Sequence, residues 1–402
     1  MAPATSSPQM SPQQINALQR QAVLRSAVEM TQPVQSLILA GPIVGGNNLI
    51  NITPRFVGLV KKFIIELSGT ATSNVAPASS TVYGLSKLIS NIQFVDLNNN
   101  VRINTDGIHL TVLKQVKSRE IALSALPIST VQTDAMLAGQ FVASGAAPNF
   151  PVIVYPPAPA ITTGTAFRAV FEVPLAYSDD DLRGALYLNV VNSTAQLAIT
   201  INPFAFSANG ATDTTGSVWT SGANAPGTIT NLTCTVYQVY LDQLPTGQNG
   251  VILPTLDLST VYELKQTNLT GHSVGQDFPY PYTNFRDFLS TLVMFNSTGA
   301  TAGLKNGSDV TYWALQSANF TNLWKLDPLL AAQRTREIIG ADLPLGTYYF
   351  SHRKKPLSTV QYGNLVLNLN PASVSSGLSY ENVYVEDFAL VNALTQAGSL
   401  AG

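Results

Sequence analysis

One segment of the chain has the spacing of a serine nucleophile. Gly271-His272-Ser273-Val274-Gly275 fits the pattern G-x-S-x-G, in which the serine lies on a sharp turn between a strand and a helix. The stretch before it is a poor strand, and two prolines within 276–281 exclude a helix directly after it. His109 and His352 are the other histidines that could act as a general base. We therefore interpret 271–275 as a loop containing glycine, and we predict no catalytic residue.

Three consecutive carboxylates at Asp179–Asp181 could suggest a calcium site. Adjacent side chains do not converge on one ion without further ligands. Ser178 precedes the run and Gly184 ends it, so the pattern favours the N-terminus of a short helix, whose dipole stabilises negative charge. The histidines show no metal-ligand spacing, and Cys234 lies within a strand pattern as a small core residue. We predict no metal site, no cofactor-binding site and no cofactor.

Two other groups of charged residues could do chemistry. Two of Glu172, Asp257 and Glu263 could form a glycosidase pair, which needs carboxyl groups about 5–10 Å apart. The sequence does not give that distance, so this alternative stays open. His352-Arg353-Lys354-Lys355 is a basic cluster that could touch phosphate, but it precedes a proline and is interpreted as a charged turn.

The composition is unusually poor in charge. Only 11% of the 402 residues are charged, which is less than half the share in ordinary soluble proteins. A near-neutral surface suits a protein that buries much of that surface against copies of itself, because many strongly charged copies would repel one another. A β-rich secreted domain would have a similar composition, and composition alone does not decide between them. The net charge of −2 gives no positive field, so we expect no direct sequence-specific binding of nucleic acid.

Neither a secretory signal nor a membrane-spanning helix is predicted. The N-terminus has no basic region followed by an apolar core, and no window supplies about 20 mostly apolar residues in a row. The single cysteine excludes a disulfide framework within the chain.

Most of the chain shows the alternation of strands. Asn98–Asn100 is interpreted as a hairpin turn between two of them. The segments with period-two alternation are 63–67, 92–94, 101–103, 108–112, 167–173, 197–201, 232–236, 365–369 and 384–390.

Helices are few. Ser11-Pro12 predicts the start of a helix over about 12–31, and its weak apolar stripe favours an arm that docks on a partner or a membrane, with packing on its own domain as the alternative. Asp327-Pro328 predicts a helix through Ile339 that ends at Gly340. After Asn284, apolar residues at 285, 288, 289 and 292 have helical spacing. Many strands and few helices predict two antiparallel β sandwiches with a break near 245–250, and no internal repeat is visible.

The segment Tyr237–Tyr262, with the sequence YQVYLDQLPTGQNGVILPTLDLSTVY, resembles the major capsid proteins of the tectiviruses. These are tailless icosahedral bacteriophages with a membrane beneath the protein shell. Four further stretches match in the same order: Thr53–Lys61 (TPRFVGLVK), Val173–Val190 (VPLAYSDDDLRGALYLNV), Ala318–Gln333 (ANFTNLWKLDPLLAAQ) and Leu357–Pro371 (LSTVQYGNLVLNLNP). The 271–275 pattern lies where the resemblance is poor.

The resemblance implies an all-β double jelly roll of two eight-stranded antiparallel sandwiches, with an N-terminal helix and a few short flanking helices. The expected division is an arm over 1–49, a first jelly roll over 50–246, a second over 247–385 and a C-terminal arm over 386–402. It further implies a homotrimer, a pseudo-hexagonal block that tiles an icosahedral shell over an internal membrane enclosing the DNA genome.

The partners implied by the resemblance are neighbouring trimers, penton proteins and minor membrane-associated capsid proteins, with the inner face near the viral membrane. The location implied is the outer shell of the virion, after assembly in the bacterial cytoplasm, and no enzymatic activity is expected. The alternatives are a receptor-binding or lectin-like viral spike module and, less favoured, the glycosidase-type enzyme.

Overall fold

The computed structural model describes most of the chain, in segments separated by gaps. The described residues are 27–39, 48–73, 79–80, 83–122, 164–188, 194–202, 205, 218–220, 227–242, 244, 246–247, 250–251, 260–297, 303–304, 310–319, 322–341, 343, 347–372 and 379–390.

Within these segments, the strands of three or more residues form two sets of eight. The first set is β1 (Val28–Leu39), β2 (Asn48–Ile52), β3 (Leu59–Ser73), β4 (Ile89–Val95), β5 (Val101–Thr105), β6 (Thr165–Pro174), β7 (Gln196–Ile201) and β8 (Gly227–Asp242). The second set is β9 (Thr260–Thr270), β10 (Phe278–Pro281), β11 (Arg286–Ser297), β12 (Val310–Ser317), β13 (Trp324–Leu326), β14 (Thr347–Ser351), β15 (Leu365–Pro371) and β16 (Ser379–Leu390).

The remaining elements are short strands and helices. The two-residue strands are Ser79–Ser80, Leu186–Tyr187, Trp219–Thr220, Thr246–Gly247, Gly250–Val251, Gly303–Leu304 and Leu357–Ser358. The helices are α1 (Gly107–Ala122), α2 (Pro328–Ile339) and α3 (Thr359–Tyr362), with a 3₁₀ helix at Gly84–Leu88.

Both sets of strands have the same topology. The first set forms the sheets β1-β8-β3-β6 and β2-β7-β4-β5, and the second forms β9-β16-β11-β14 and β10-β15-β12-β13. Each strand of the second set therefore occupies the place of the strand eight positions earlier. The helices repeat as well, because α1 lies between β5 and β6 and α2 between β13 and β14. This order is that of a jelly roll, so the predicted double jelly roll is confirmed, together with a structural repeat that the sequence does not reveal.

The two sandwiches are joined by one sheet and by shared apolar packing. β5 pairs with β9 in parallel through Ile103–Leu264 and Asn104–Lys265, which makes a continuous ten-stranded sheet. Each sandwich has its own buried core, exemplified by Phe63 in the first and Trp313 in the second. A further buried cluster lies between them and combines Tyr83, Val112 and Val116 of the first set with Leu292, Met294 and Tyr384 of the second.

Two helix predictions are wrong, and the helix predicted over about 12–31 is contradicted at its C-terminal end. Residues 28–31 belong to β1, which pairs with β8, whereas residues 12–26 of that predicted helix lie outside the described part. Residues 178–184 form a turn in which the Ser178 hydroxyl accepts the backbone N–H of Asp181 at 2.9 Å. Residues 286–297 are β11, which lies between β14 and β16 and is buried on both faces. Strands buried on both faces lose the period-two signal, so an apolar run can imitate helical spacing.

The strand prediction at 108–112 is also wrong, because these residues begin α1. The Asp106 carboxylate accepts the backbone N–H of His109 at 2.8 Å, as a capping residue does. Leu110, Leu113 and Val116 are buried at three-residue spacing, which is the spacing of a helix face. The alternation over 108–112 was a fragment of that longer helical pattern. The other strand predictions are confirmed.

The helix predicted after Asp327 is confirmed, with both of its ends. The Asp327 carboxylate accepts the N–H of Leu330 at 2.8 Å, and Gly340 adopts the left-handed conformation at φ 61°. We expect Asp327→Ala to lower the free energy of unfolding by about 1 kcal/mol, because it removes the cap. Urea unfolding measures this, with Asp327→Asn as the control that keeps a capping oxygen. Equal stability of the alanine variant and the native protein would contradict a capping role.

Candidate functional site: the junction between the two sandwiches

The loop after β6 approaches β9 so closely that it requires glycine. Gly184 has φ +88°, and a Cβ atom there would lie 2.4 Å from the Tyr262 Cβ and 2.6 Å from the Leu175 carbonyl oxygen. Arg102 holds the loop from the other side, since its Nη1 donates to the Gly184 carbonyl at 3.0 Å. Gly184 thus serves the contact between the sandwiches and does not end a helix.

The same loop brings aromatic and cationic side chains against the second sandwich. The Tyr177 ring lies 6.0 Å from that of Tyr262 and 5.5 Å from that of Phe388, between centroids. The Arg183 guanidinium lies 4.5 Å from the Phe388 centroid, and Asp181 binds that guanidinium through both carboxylate oxygens. One residue of the acidic run therefore orients an arginine, and this accounts for its charge without a metal ion.

Glu386 is the centre of a buried charge cluster at this junction. Its side chain is fully buried. Oε1 accepts the Tyr262 hydroxyl at 2.7 Å and lies 3.1 Å from the Lys117 Nζ, which comes from α1 of the first sandwich. Oε2 accepts the Ser290 hydroxyl at 2.7 Å and the Arg353 Nε at 3.1 Å. These donors occupy all the acceptor positions that a carboxylate has. We call these five residues the junction cluster.

The junction cluster keeps its central carboxylate ionised. Burial acts to raise the pKa of Glu386, but Arg353 and Lys117 overcome it and hold that pKa below its ordinary value. Burial lowers the pKa of Lys117, and Arg353 adds to this effect. Burial and the neighbouring Glu386 charge raise the pKa of Tyr262 well above its ordinary value, so the phenol stays a donor.

A second group of buried polar residues lies under α1. The Tyr384 hydroxyl of β16 donates to the Asp106 Oδ2 at 2.7 Å, and the Tyr384 ring stacks on His109 with 4.7 Å between centroids. The His109 Nδ1 lies 2.6 Å from the Thr105 hydroxyl. Burial lowers the pKa of His109 from 6.5 to about 3 and raises that of Asp106 from 3.8 to about 6.

These shifts predict opposite effects of pH on stability. Below pH 6.5 the unfolded chain protonates His109 while the folded chain does not until about pH 3, so this residue makes the protein less stable as pH falls. Asp106 has the opposite effect on stability. Between pH 6 and 3.8 the folded chain binds the Asp106 proton before the unfolded chain does, so this residue makes the protein more stable as pH falls. Comparison of a His109 variant with the native protein isolates the first contribution.

We expect His109→Gln to be less stable than the native protein at pH 7.5 because a packed, hydrogen-bonded ring is lost. That deficit should shrink by up to about 2 kcal/mol at pH 5, since the variant has no imidazole to protonate on unfolding. Urea unfolding of both proteins at the two pH values measures the difference. A deficit that is the same at both values would mean that folded His109 is already charged at pH 5.

The candidate catalytic carboxylates are bound to cations in separate sandwiches. Glu172 on β6 pairs with Lys62 and Lys114 of the first sandwich. Glu263 on β9 pairs with Arg286 and Lys265 of the second. Asp257 lies outside the described residues. Ion pairs in separate sandwiches account for the charges of Glu172 and Glu263, and the structure does not bring these two carboxylates together as a pair.

The serine pattern does not form a nucleophile elbow. Ser273 lies in a turn between β9 and β10, with Gly271 and Gly275 at positive φ, and a strand follows instead of a helix. His109 is under α1, and His352 follows β14 with a pKa that burial lowers to about 4. Cys234 is buried within β8, as predicted.

The described segments hold neither a metal-binding cluster nor a membrane-spanning helix. No group of three or more His, Cys, Asp or Glu residues there could hold a metal ion. No helix among the described residues is long and apolar enough to cross a membrane.

Arg353 is the functional residue that the sequence analysis misplaced. The turn at 352–355 forms as predicted, but the Arg353 side chain enters the junction and binds Glu386. A signal was present in the sequence, because Glu386 alternates with Tyr384 and Phe388 in one row of a strand. A carboxylate in such an apolar row requires a buried cation.

Comparisons with known proteins agree with one another. The family model described as P3 major capsid protein N-terminal matches residues 9–244, and the one described as P3 major capsid protein C-terminal matches 259–402. The major capsid protein P3 of Enterobacteria phage PRD1 is 33% identical over 390 residues, which cover 96% of this chain and 94% of that protein.

Solved structures share the fold at low identity. A chain in the atomic structure of Sulfolobus Turreted Icosahedral Virus has a TM-score of 0.58 at 12% identity, covering 90% of this chain and 91% of that one. A chain in the PBCV-1 virus capsid has a TM-score of 0.53 at 11% identity, covering 90% and 94%. At such identities the likeness is one of fold.

Proposed function

Because this chain belongs to the P3 major capsid protein family, we propose that three copies associate as a pseudo-hexagonal block of an icosahedral phage shell. The chain is a structural coat protein, not an enzyme. The single observation that carries the proposal is the repeated topology, in which two sandwiches of equal strand order lie side by side in one chain. Three such chains around a threefold axis present six similar blocks.

The low charge supports the same proposal. Only 11% of residues are charged, and several visible charges neutralise one another within the chain, as Glu172 does with Lys62 and Lys114. Such surfaces can lie against their own copies with little mutual repulsion. We expect the interface within the trimer to be large and apolar, in the range of about 2,000–5,000 Å² of obligate assemblies.

Light scattering after size exclusion tests the trimer. The expected result is a mass of three chains that does not change on dilution, because obligate interfaces do not dissociate at ordinary protein concentrations. A monomer would contradict the proposal. A soluble oligomer that never forms hexagonal blocks in electron micrographs would instead favour the receptor-binding or lectin-like module.

We propose that the chain divides into two jelly rolls that meet at residues 246 and 247, with the arms shortened from 1–49 and 386–402 to 1–26 and 391–402. The N-terminal family model ends at residue 244 and the C-terminal one begins at residue 259, which supports a break between the two jelly rolls in this region. The arms must be drawn so that β1, which pairs with β8, and β16, which continues to Leu390, stay with their sheets.

The N-terminal arm is proposed to dock on the inner side of the shell, near an internal membrane. Since β1 begins at Val28, deletion of residues 1–26 removes the arm and leaves β1 intact. The expected result is an intact trimer with impaired shell assembly. Normal particles from this variant would contradict the docking role. Penton and minor membrane-associated proteins as partners, a DNA genome within the membrane, and assembly in the bacterial cytoplasm belong to the same proposal.

A further inference from the structure

We infer that Lys117 is a positioning residue that sets the orientation of one sandwich relative to the other. Its ammonium group belongs to α1 of the first sandwich and lies 3.1 Å from the buried carboxylate of Glu386 in the second. The same nitrogen donates to the Tyr177 carbonyl at 2.7 Å, in the loop of its own sandwich. Lys117 therefore connects a fixed point on each side of the junction.

Glu386 has hydrogen-bond donors and a cation besides Lys117. Its own sandwich supplies Tyr262, Ser290 and Arg353 as donors, and Arg353 already neutralises the carboxylate. Lys117 adds a second cation to a buried pair that is already balanced. A buried charge that is redundant for neutralisation contributes little net stability, because its desolvation offsets its attraction. The remaining effect of Lys117 is to favour one orientation of the first sandwich relative to the second.

The other contacts at the junction differ in how strictly they fix direction. The hydrogen bond from the Tyr384 hydroxyl of β16 to the Asp106 carboxylate, 2.7 Å long, fixes one point, and Lys117 supplies a second. The parallel ladder between β5 and β9 has two residue pairs. The apolar cluster between the sandwiches is held by the hydrophobic effect, which does not depend on angle. A hydrogen-bonded ion pair does depend on angle and distance, so Lys117 is suited to select one orientation from those that the apolar packing allows.

This orientation matters only if the proposed function is correct, because a shell block with six positions requires both sandwiches at a constant angle. The angle between the two sandwiches is a property of a single chain. A test within one chain can therefore fail while the proposed assembly stands, and the assembly can fail while this test succeeds.

The experiment measures the distance between two spin labels, one on each sandwich. Val170 on β6 is 53% exposed and Val360 on α3 is 64% exposed, so both can be replaced by cysteine. Cys234 is buried and will not react under native conditions. Labelled chains are assembled with a large excess of unlabelled chain, so that only distances within one chain contribute.

With Lys117 present we expect one narrow distance peak. In Lys117→Met the peak should be about two-fold broader or split, since several orientations become populated, while the melting temperature changes by no more than about 3 °C. Lys117→Arg should restore the narrow peak. Lys114→Met is the matched control, because Lys114 lies one turn earlier on α1 and binds Glu172 of its own sandwich. It should leave the peak narrow.

Three outcomes would overturn the inference. The first is a Lys117→Met peak as narrow as the native one, at the same mean distance. The second is equal broadening in Lys114→Met, which would assign the effect to the helix as a whole. The third is a fall in melting temperature as large as that caused by loss of Glu386, which would make the role one of stability alone. If Lys117→Met does not fold, Lys117→Gln tests the charge with a side chain that still donates.

Discussion

Replacing Gly184 with alanine should destabilise the protein by more than about 3 kcal/mol, a loss that only a few mechanisms produce. The new Cβ would lie 2.4 Å from the Tyr262 Cβ and 2.6 Å from the Leu175 carbonyl oxygen, distances at which atoms overlap. Neither of these two atoms lies at the end of a flexible side chain, so neither can move aside without a shift of the backbone. The loop after β6 would have to move away from β9, and the packing of Tyr177 on Phe388 would be lost with it.

Gly271 provides a matched control for this substitution. Its φ is +87°, against +88° for Gly184, but nothing lies within 4 Å of the position that its Cβ would take. Alanine there bears only the backbone strain, about 1–2 kcal/mol. Urea unfolding of both variants separates strain from overlap. Equal losses in the two variants would show that the loop relaxes freely and that Gly184 is not required for contact between the sandwiches.

Local patterns sufficed to predict most elements of the first sandwich. Phe63, Ile65 and Leu67 alternate because β3 has one buried face, and such strands keep a period-two signal. The α2 helix was predictable from Asp327 and Gly340, since caps are local chemistry. β11 was not predictable from its pattern, because both of its faces are buried. Phe288 packs in the core of the second sandwich and Leu292 in the cluster between the sandwiches, so the spacing of apolar residues does not mark one face.

The junction cluster shows the limit of local patterns more clearly. The position of Glu386 in an apolar row of its strand predicts a buried carboxylate. The partners of this carboxylate, however, come from α1, β9, β11 and the turn after β14. They are brought together by strand order, which no short segment specifies. The structural repeat is not detectable in the sequence for a related reason. A sandwich tolerates any apolar residues of suitable size on its inner faces, so two copies of one topology can lose all visible likeness.

Two of the five stretches that carry the resemblance supply residues of the junction. The segment 173–190 supplies the loop with Tyr177, Arg183 and Gly184, and the segment 237–262 ends at Tyr262, on which that loop packs. These stretches carry the resemblance to capsid proteins, and both contribute to the contact between sandwiches. A double jelly roll depends on that contact more than on the details of its outer surface, because its two halves must act as one block.

Removal of Glu386 is the second substitution with a large expected effect. Glu386→Ala should lower the free energy of unfolding by about 3–5 kcal/mol, because it leaves the buried cation of Arg353 without its counter-charge. The Arg353 side chain is only 8% exposed, so water cannot replace the carboxylate. The nearby Lys117 ammonium makes the loss worse, since two cations would then repel each other across the vacated position.

Glu172→Ala is the control, because Glu172 also binds two lysines but lies nearer to solvent, with 28% of its side chain exposed. Its loss should cost no more than about 1 kcal/mol, as for exposed ion pairs. The variant that combines Glu386→Leu, Arg353→Met and Lys117→Met should be more stable than Glu386→Ala, because it leaves no unpaired charge in the junction. If the triple variant were the less stable of the two, the cluster would stabilise the fold by attraction, and the damage in Glu386→Ala could not be assigned to stranded cations.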